Sequence, residues 1–175
     1  MNLKELMLTR RSIRKYTTEP VSGEMLEDIV KAAMLGANGK NLKPWSFIIV
    51  QDPETIARLA FCRAGKAPML ATAKAAIVVV GDESVSDTCI EDCAAALTNM
   101  HLYAHSLGLG SCWLQCRLRP SDTEGISSEE CVRQILGIPE GFLIQGMLAV
   151  GHPDQSPAPH DIAALPLEKI HREKW

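Results

Sequence analysis

The densest basic cluster of the chain is Arg10-Arg11-Ser12-Ile13-Arg14-Lys15-Tyr16. Arg10, Ser12 and Arg14 alternate, so extended backbone would turn all three to one side. Two guanidiniums and a hydroxyl on one side make a phosphate seat, because arginine donates forked bonds to paired oxygens. A plainer reading is also open: Arg10 and Arg11 complement the negative end of the first helix. A second feature is Gly36-Ala37-Asn38-Gly39-Lys40-Asn41, which supplies flexible backbone and two amide side chains. It reads either as a binding loop or as a surface connection. Pro44-Trp45 then gives a stiff entry to a strand with an aromatic anchor. Asn99 falls midway along a long helical pattern, where a buried amide needs partners.

The six cysteines are Cys62, Cys89, Cys93, Cys112, Cys116 and Cys131. Cys89 and Cys93 share a helical face. Cys112 and Cys116 lie on a strand-like stretch, which would hold their sulfurs ~13 Å apart, too far to share one ion. Buried or half-buried free thiols are the expectation, with no metal site. His101 and His105 have helical spacing, but no HExxH accompanies them. No GxSxG elbow occurs. Cys112 with His105 or His101 could form a Cys–His hydrolase pair, yet nothing in the spacing orients a base towards that thiol.

The elements that must position these groups are those of an ordinary folded domain. At 175 residues, with 46% hydrophobic and 22% charged residues, one domain over residues 1–175 is expected. The net charge of −3 and pI near 6.0 give no electrostatic reason to expect nucleic acid or an anionic membrane as partner. No apolar run is long enough to span a bilayer, and the first residues lack the pattern of a signal peptide. A cytoplasmic location follows as an expectation, and disulfides are not expected there.

Apolar periodicity predicts helices over 3–9, 23–35, 54–62 and 87–107. The last, rich in Ala, Leu, Cys and Met, should sit at the centre of the core. A further helix follows the capping box Ser127-Ser-Glu-Glu130 and closes at Gly137. Strands are predicted over 46–50, 75–80, 111–116 and 143–150. Residues 152–166, with their prolines, should run extended over a surface, and 167–175 reads as a strand or a short helix. No GxGxxG turn joins a strand to a helix, so an α+β arrangement fits better than a doubly wound one.

Together these pieces resemble the nitroreductase family of FMN-dependent oxidoreductases. Arg10–Tyr16 resembles the family's opening motif. Asn41-Leu42-Lys43-Pro44-Trp45-Ser46-Phe47 resembles its Asn-x-Gln-Pro-Trp-x-Phe. Residues 104–113 resemble its late helix-to-strand motif. Leu136–Gly141 and Ala149–Pro153 resemble its closing stretch. The motifs occur in order over essentially the whole chain.

The resemblance implies a mainly antiparallel central sheet flanked by helices, and a homodimer whose C-terminal segments are exchanged. It implies FMN at the subunit interface. Arg10, Arg11, Ser12 and Arg14 would hold its phosphate and ribityl chain. Ala37, Asn38, Gly39 and Asn41 of the partner's loop would cover part of it, and Cys112, Trp113, Leu114 and Gln115 would pass over the ring. No catalytic side chain is implied: reducing equivalents would go from NAD(P)H to a small nitroaromatic- or quinone-like acceptor in ping-pong order. A flavin carrier or sensor without general turnover is the alternative. Three departures stand out. Ala37-Asn38-Gly39 replaces the usual loop, Lys43 the usual Gln, and Ile162-Ala163-Ala164-Leu165-Pro166 lacks the usual basic phosphate contact. His160, Arg63 or Lys66 could replace that contact.

Overall fold

The computed structural model describes residues 2–65 and 67–175, and Lys66 lies outside the described residues. Its elements are α1 (Leu3–Thr9), α2 (Gly23–Met34), β1 (Trp45–Val50), α3 (Pro53–Leu59), β2 (Ala75–Asp82), α4 (Cys89–Ser106), β3 (Gly110–Gln115), α5 (Ser128–Leu136) and β4 (Phe142–Gly151). The strands form one sheet in the order β1-β2-β4-β3, and every neighbouring pair is antiparallel. The expected α+β architecture, an antiparallel sheet flanked by helices, is what the chain adopts.

Helix starts are set by short polar side chains. Ser22 and Asp52 accept hydrogen bonds from the N–H groups of Met25 and Thr55, and Pro53 opens α3. Asn2 and Glu5 form a reciprocal capping box at α1 that the sequence reading did not single out. At α5 only half of the expected box forms. Ser127 accepts from the Glu130 N–H, but the Glu130 carboxylate pairs with Arg133 instead of reaching back. Gly137 closes that helix in the left-handed region at φ 65°.

The sheet carries a core on each face. Ile77, Val79, Leu148 and Val150 pack against α2 and α4, while Val78, Val80, Ile144 and Met147 pack against α3 and α5. Strand β2 is therefore covered on both sides, which explains its unbroken apolar run. Each such buried Val, Ile or Leu contributes about 1.5–3 kcal/mol. Helix α4 lies at the centre of one core as expected, burying Cys93, Leu97 and Met100 against the sheet. Gln145 is skipped in the β2–β4 register, a bulge whose carbonyl accepts from both Cys116 and Arg117 and so ends the β3 ladder.

Two irregular segments complete the frame. Residues 10–16 run extended along the outer edge of β3, with a parallel bridge between Ser12 and Ser111 and an Ile13 N–H bond of 2.9 Å to the Ser111 carbonyl. Gly110 allows this approach, since a Cβ there would stand 2.7 Å from Ile13 Cγ2. Residues 152–161 run back antiparallel to residues 15–17 and then along α1, through Thr17 N–H to the His152 carbonyl and His160 N–H to the Leu8 carbonyl. The end of the chain is neither a strand nor an α-helix. It makes single 3-10 turns at Ile162–Ala164 and Leu167–Lys169, and residues 160–175 are exposed throughout.

Replacing Gly110 with alanine should push Ile13 off the edge of β3. A stability loss of about 1–3 kcal/mol is expected, the usual cost of overpacking, measured by urea denaturation. An unchanged midpoint would show that residues 10–16 do not depend on this contact.

Candidate functional site at the β3 edge

The arginine-bearing segment is extended beside the start of β3. Arg10, Ser12 and Arg14 all lie near enough to the Cys112 thiol to bear on its ionisation. Ser12 hydrogen-bonds the Cys112 thiol, and the two guanidinium charges stabilise its ionised form. Burial outweighs them and pushes the thiol up from its ordinary range. Arg11 points elsewhere: its guanidinium donates to the Ala158 carbonyl and anchors the returning segment. The structure thus gathers three of the four residues and assigns the fourth to a strap. Among the described residues, none of Arg10, Arg11 and Arg14 forms an ion pair with a carboxylate. An uncompensated row of guanidiniums beside a hydroxyl is an anion seat.

The next residues of β3 extend the site. Cys116 turns its N–H inward to Gln145, and Ser111 turns its carbonyl outward to Ile13. Strand alternation then turns the main-chain N–H and C=O of Trp113 and Gln115 to the outer edge. Residues 10–16 have left that edge by this point, and β3 is the last strand of the sheet. The Leu114 side chain is buried in the opposite core, so only its backbone is available. The Trp113 indole donates to the Gln115 side-chain oxygen at 3.1 Å, and the Gln115 amide donates on to the Arg117 carbonyl.

Trp113 separates two cavities. One, of about 330 Å³, is lined by Met7, Arg10, Thr98, His101, Leu102 and Trp113. The other, of about 320 Å³, is lined by Trp113, Leu114 and Gln115 against Arg63, Ala67 and Met69. Arg63 therefore borders the site, whereas His160 lies exposed on the strap beside α1.

The loop residues Ala37, Asn38, Gly39 and Asn41 are at the other end of α4. The Gly39 N–H donates to the buried Asp92 carboxylate at 2.8 Å, and that carboxylate also accepts from Thr88 at 3.1 Å and Ser86 at 3.4 Å. Asn38 accepts from the Lys43 N–H. A side chain on Gly39 would have to displace Thr88, since its Cβ would lie 2.1 Å from Thr88 Oγ1. Lys40, Asn41 and Lys43 all have φ between 52° and 57°, an uncommon backbone for residues other than glycine. From Asp92, which pins this loop, to His101, beside Arg10, is nine residues of helix, roughly 14 Å. Within one chain the loop and the arginine row are therefore separate.

Two residues that organise the site were not found by sequence reasoning. Asp92 is the acid on the Cys89–Cys93–Ala96 face of α4, and that breach of an apolar stripe was its only signal. His101 was read only as one of two histidines at helical spacing and as a possible base for Cys112. Its Nε2 lies 3.0 Å from Arg10 Nη1 and its Nδ1 2.5 Å from Ser111 Oγ. His105 Nε2 meets Thr9 Oγ1 at 2.8 Å. Neither imidazole bonds to Cys112, so the Cys–His hydrolase reading fails for want of a base at the thiol. Among the described residues no group of His, Cys, Asp and Glu is placed to hold a metal ion. Asn99 serves packing, donating to the Ala32 carbonyl at the end of α2.

An antiparallel α+β sheet with a guanidinium row along one edge strand defines the class, and comparison with known proteins gives the family. The nitroreductase family model matches residues 7–62 and 60–152, and the chain belongs to that family. A protein of Archaeoglobus fulgidus, named provisionally as an NADH dehydrogenase/NAD(P)H nitroreductase, is 37% identical over 98% of this chain and 97% of its own. A relative of the same name from Methanothermobacter thermautotrophicus is 34% identical over 100% of this chain and 88% of its own. The structure of an FMN-dependent nitroreductase from Clostridium difficile superposes with a TM-score of 0.94, at 34% identity over 99% of this chain and 100% of the other. Among the described residues no helix is long and apolar enough to cross a membrane.

Burial, and next the neighbouring Arg10 cation, hold the His101 pKa down at about 4. The folded chain therefore resists a proton that the unfolded chain accepts below about pH 6.5. Stability carried by neutral His101 is complete above that pH and is lost as pH falls towards 4. Urea midpoints measured between pH 7 and 4 should decline less steeply in His101→Gln than in the natural chain. Parallel slopes would mean that His101 titrates alike in both states.

Proposed function

We propose that the chain binds FMN along the β3 edge and passes reducing equivalents from NAD(P)H to a small nitroaromatic- or quinone-like acceptor. The observation that carries this reading is the uncompensated row of Arg10, Ser12 and Arg14, continued by the outward-turned backbone of Trp113 and Gln115. That donor set fits the cofactor: fixed cations for a phosphate, a hydroxyl for a polyol chain, and edge amides for a polar ring system. Names of the family's relatives agree, among them an FMN reductase (NADPH) of Bacillus subtilis and the FMN-dependent nitroreductase of C. difficile.

When bound, FMN supplies the redox chemistry, taking electrons from a reduced nicotinamide and yielding them to the acceptor. The chain's own residues bind and orient. Arg10 and Arg14 hold the anionic arm, and the edge N–H groups of β3 present fixed dipoles to charge that develops on reduction. No side chain of the site is arranged as a nucleophile or general base. Donor and acceptor use the same open cavity in turn, which is a ping-pong order.

The working unit is a homodimer, with one domain per chain. The described chain exposes 9993 Å², against roughly 8,400 Å² for a monomer of this mass. Apolar residues near the C-terminus contribute to the excess: Leu167 is 63% and Ile170 65% exposed. Among the described residues the outer edge of β1 has no strand paired to it. An exchanged C-terminal segment would cover apolar surface of a second copy, and the partner's Gly36–Asn41 loop would then complete the site that one chain leaves in two parts. All six cysteines are free, in keeping with a reducing cytoplasm.

Purified protein should be yellow, or become so with added FMN, and should bleach on anaerobic addition of NAD(P)H. Retained colour without bleaching would favour the carrier or sensor alternative, for which the lack of a basic residue at Ala163-Ala164 speaks. Arg10→Ala should weaken FMN binding by about 1.5–3 kcal/mol, the range for a hydrogen bond to a charged group. Sedimentation should give a dimer, and removal of residues 162–175 should shift it to monomer with loss of bound flavin. A monomeric natural chain that still holds flavin would sink the exchange.

A further inference from the structure

We infer that His101 is a positioning residue for the cofactor arm: a neutral acceptor that aims Arg10 at it, with its ring held in place by Ser111. The inference rests on the FMN reading above and concerns how that same site is built.

Arg10 ends α1, where its backbone has left the helix at φ −61° and ψ 123°. A long side chain at a helix end is free to sweep through many rotamers unless something holds it. Its Nη1 lies 3.0 Å from His101 Nε2. A guanidinium has donors and no acceptor, so His101 Nε2 must carry the lone pair. The ring proton then sits on Nδ1 and is donated to Ser111 Oγ at 2.5 Å. Ser111 is itself fixed, since its carbonyl accepts from Ile13 on the docked segment. His101 and Ser111 are both buried. The chain of contacts runs from the β3 edge through an imidazole to the guanidinium, and the donor-only guanidinium sets the roles of the other two.

The arrangement suits an anion site better than a salt bridge would. A carboxylate in place of His101 would cancel the charge of Arg10 and compete with the ligand. A neutral imidazole engages one N–H and leaves the cation whole, with its remaining donors at the wall of the cavity shared by Met7, Thr98, Leu102 and Trp113. The titratable and charged groups facing His101 are Arg10 from α1 and His105 from its own helix. Arg11 and Cys112 bear in turn on Arg10. None of these is an acid that could stand in for the imidazole.

The test is FMN titration by fluorescence quenching, together with the ring-nitrogen NMR spectrum of the flavin-free chain. His101→Leu should raise the Kd about tenfold, whereas His101→Gln, whose side-chain oxygen can accept from Arg10, should stay within about threefold of the natural chain. In an Arg10→Ala background the His101→Leu change should have no further effect, because nothing remains to be aimed. The spectrum at pH 7 should show the Nδ1–H tautomer for His101. The inference is overturned by equal affinities in the natural chain and His101→Leu, by the same loss with Arg10 already removed, or by an Nε2–H tautomer. The tautomer is read without any variant, so it holds even where a substitution prevents folding. A natural chain that takes up no FMN overturns the parent reading and this one with it, and is distinguished by the titration of the natural chain alone.

Discussion

The hydrogen bond from the Ile13 N–H to the Ser111 carbonyl fixes the register of everything that follows. It seats an extended segment on the last strand of the sheet, and the period of two then decides which residues look outward. A slip of one residue would turn Arg10, Ser12 and Arg14 to the strap and bring Arg11 to the cavity. The bond forms only because Gly110 leaves room for Ile13. The hydroxyl of the same serine hydrogen-bonds His101 Nδ1. One serine thus sets both the backbone register of the arginine row and the direction of its first guanidinium.

Much of this was legible in the sequence. Regular elements with strong periodicity, such as α2, α4 and β2, were found because each buries a continuous apolar face. The alternation of Arg10, Ser12 and Arg14 was enough to group them, and the motif order named the family. Two kinds of information were hidden. The first was the fate of Arg11, whose side chain is claimed by Ala158, a partner 147 residues away in sequence. The second was the role of polar residues on buried helix faces. Asp92 and His101 look like single irregularities in α4, and their meaning comes from Gly39, Arg10 and Ser111, which only the fold brings to them.

Helix α4 acts as a ruler between two separate halves of the chain's polar framework, the 36–41 loop and the arginine row. Asp92 near its start pins the loop, and His101 near its end carries Arg10. Both side chains hydrogen-bond groups outside their own helix, so neither half can shift without disturbing the core beneath α4. The loop's left-handed residues are tolerated for the same reason, since a buried carboxylate holds the backbone between them and the helix.

The cysteines acquire a different significance once the site is placed. A protein that handles electrons beside dissolved oxygen is exposed to peroxide, and peroxide attacks thiolates rather than thiols. Burial pushes Cys62, Cys89, Cys93 and Cys112 up from the ordinary range and Cys116 up to about 12. At pH 7 a thiol like Cys116 is ionised in about one molecule in 10⁵. The buried sulfurs of the two cores are therefore held in the thiol form, which peroxide attacks more slowly than thiolate.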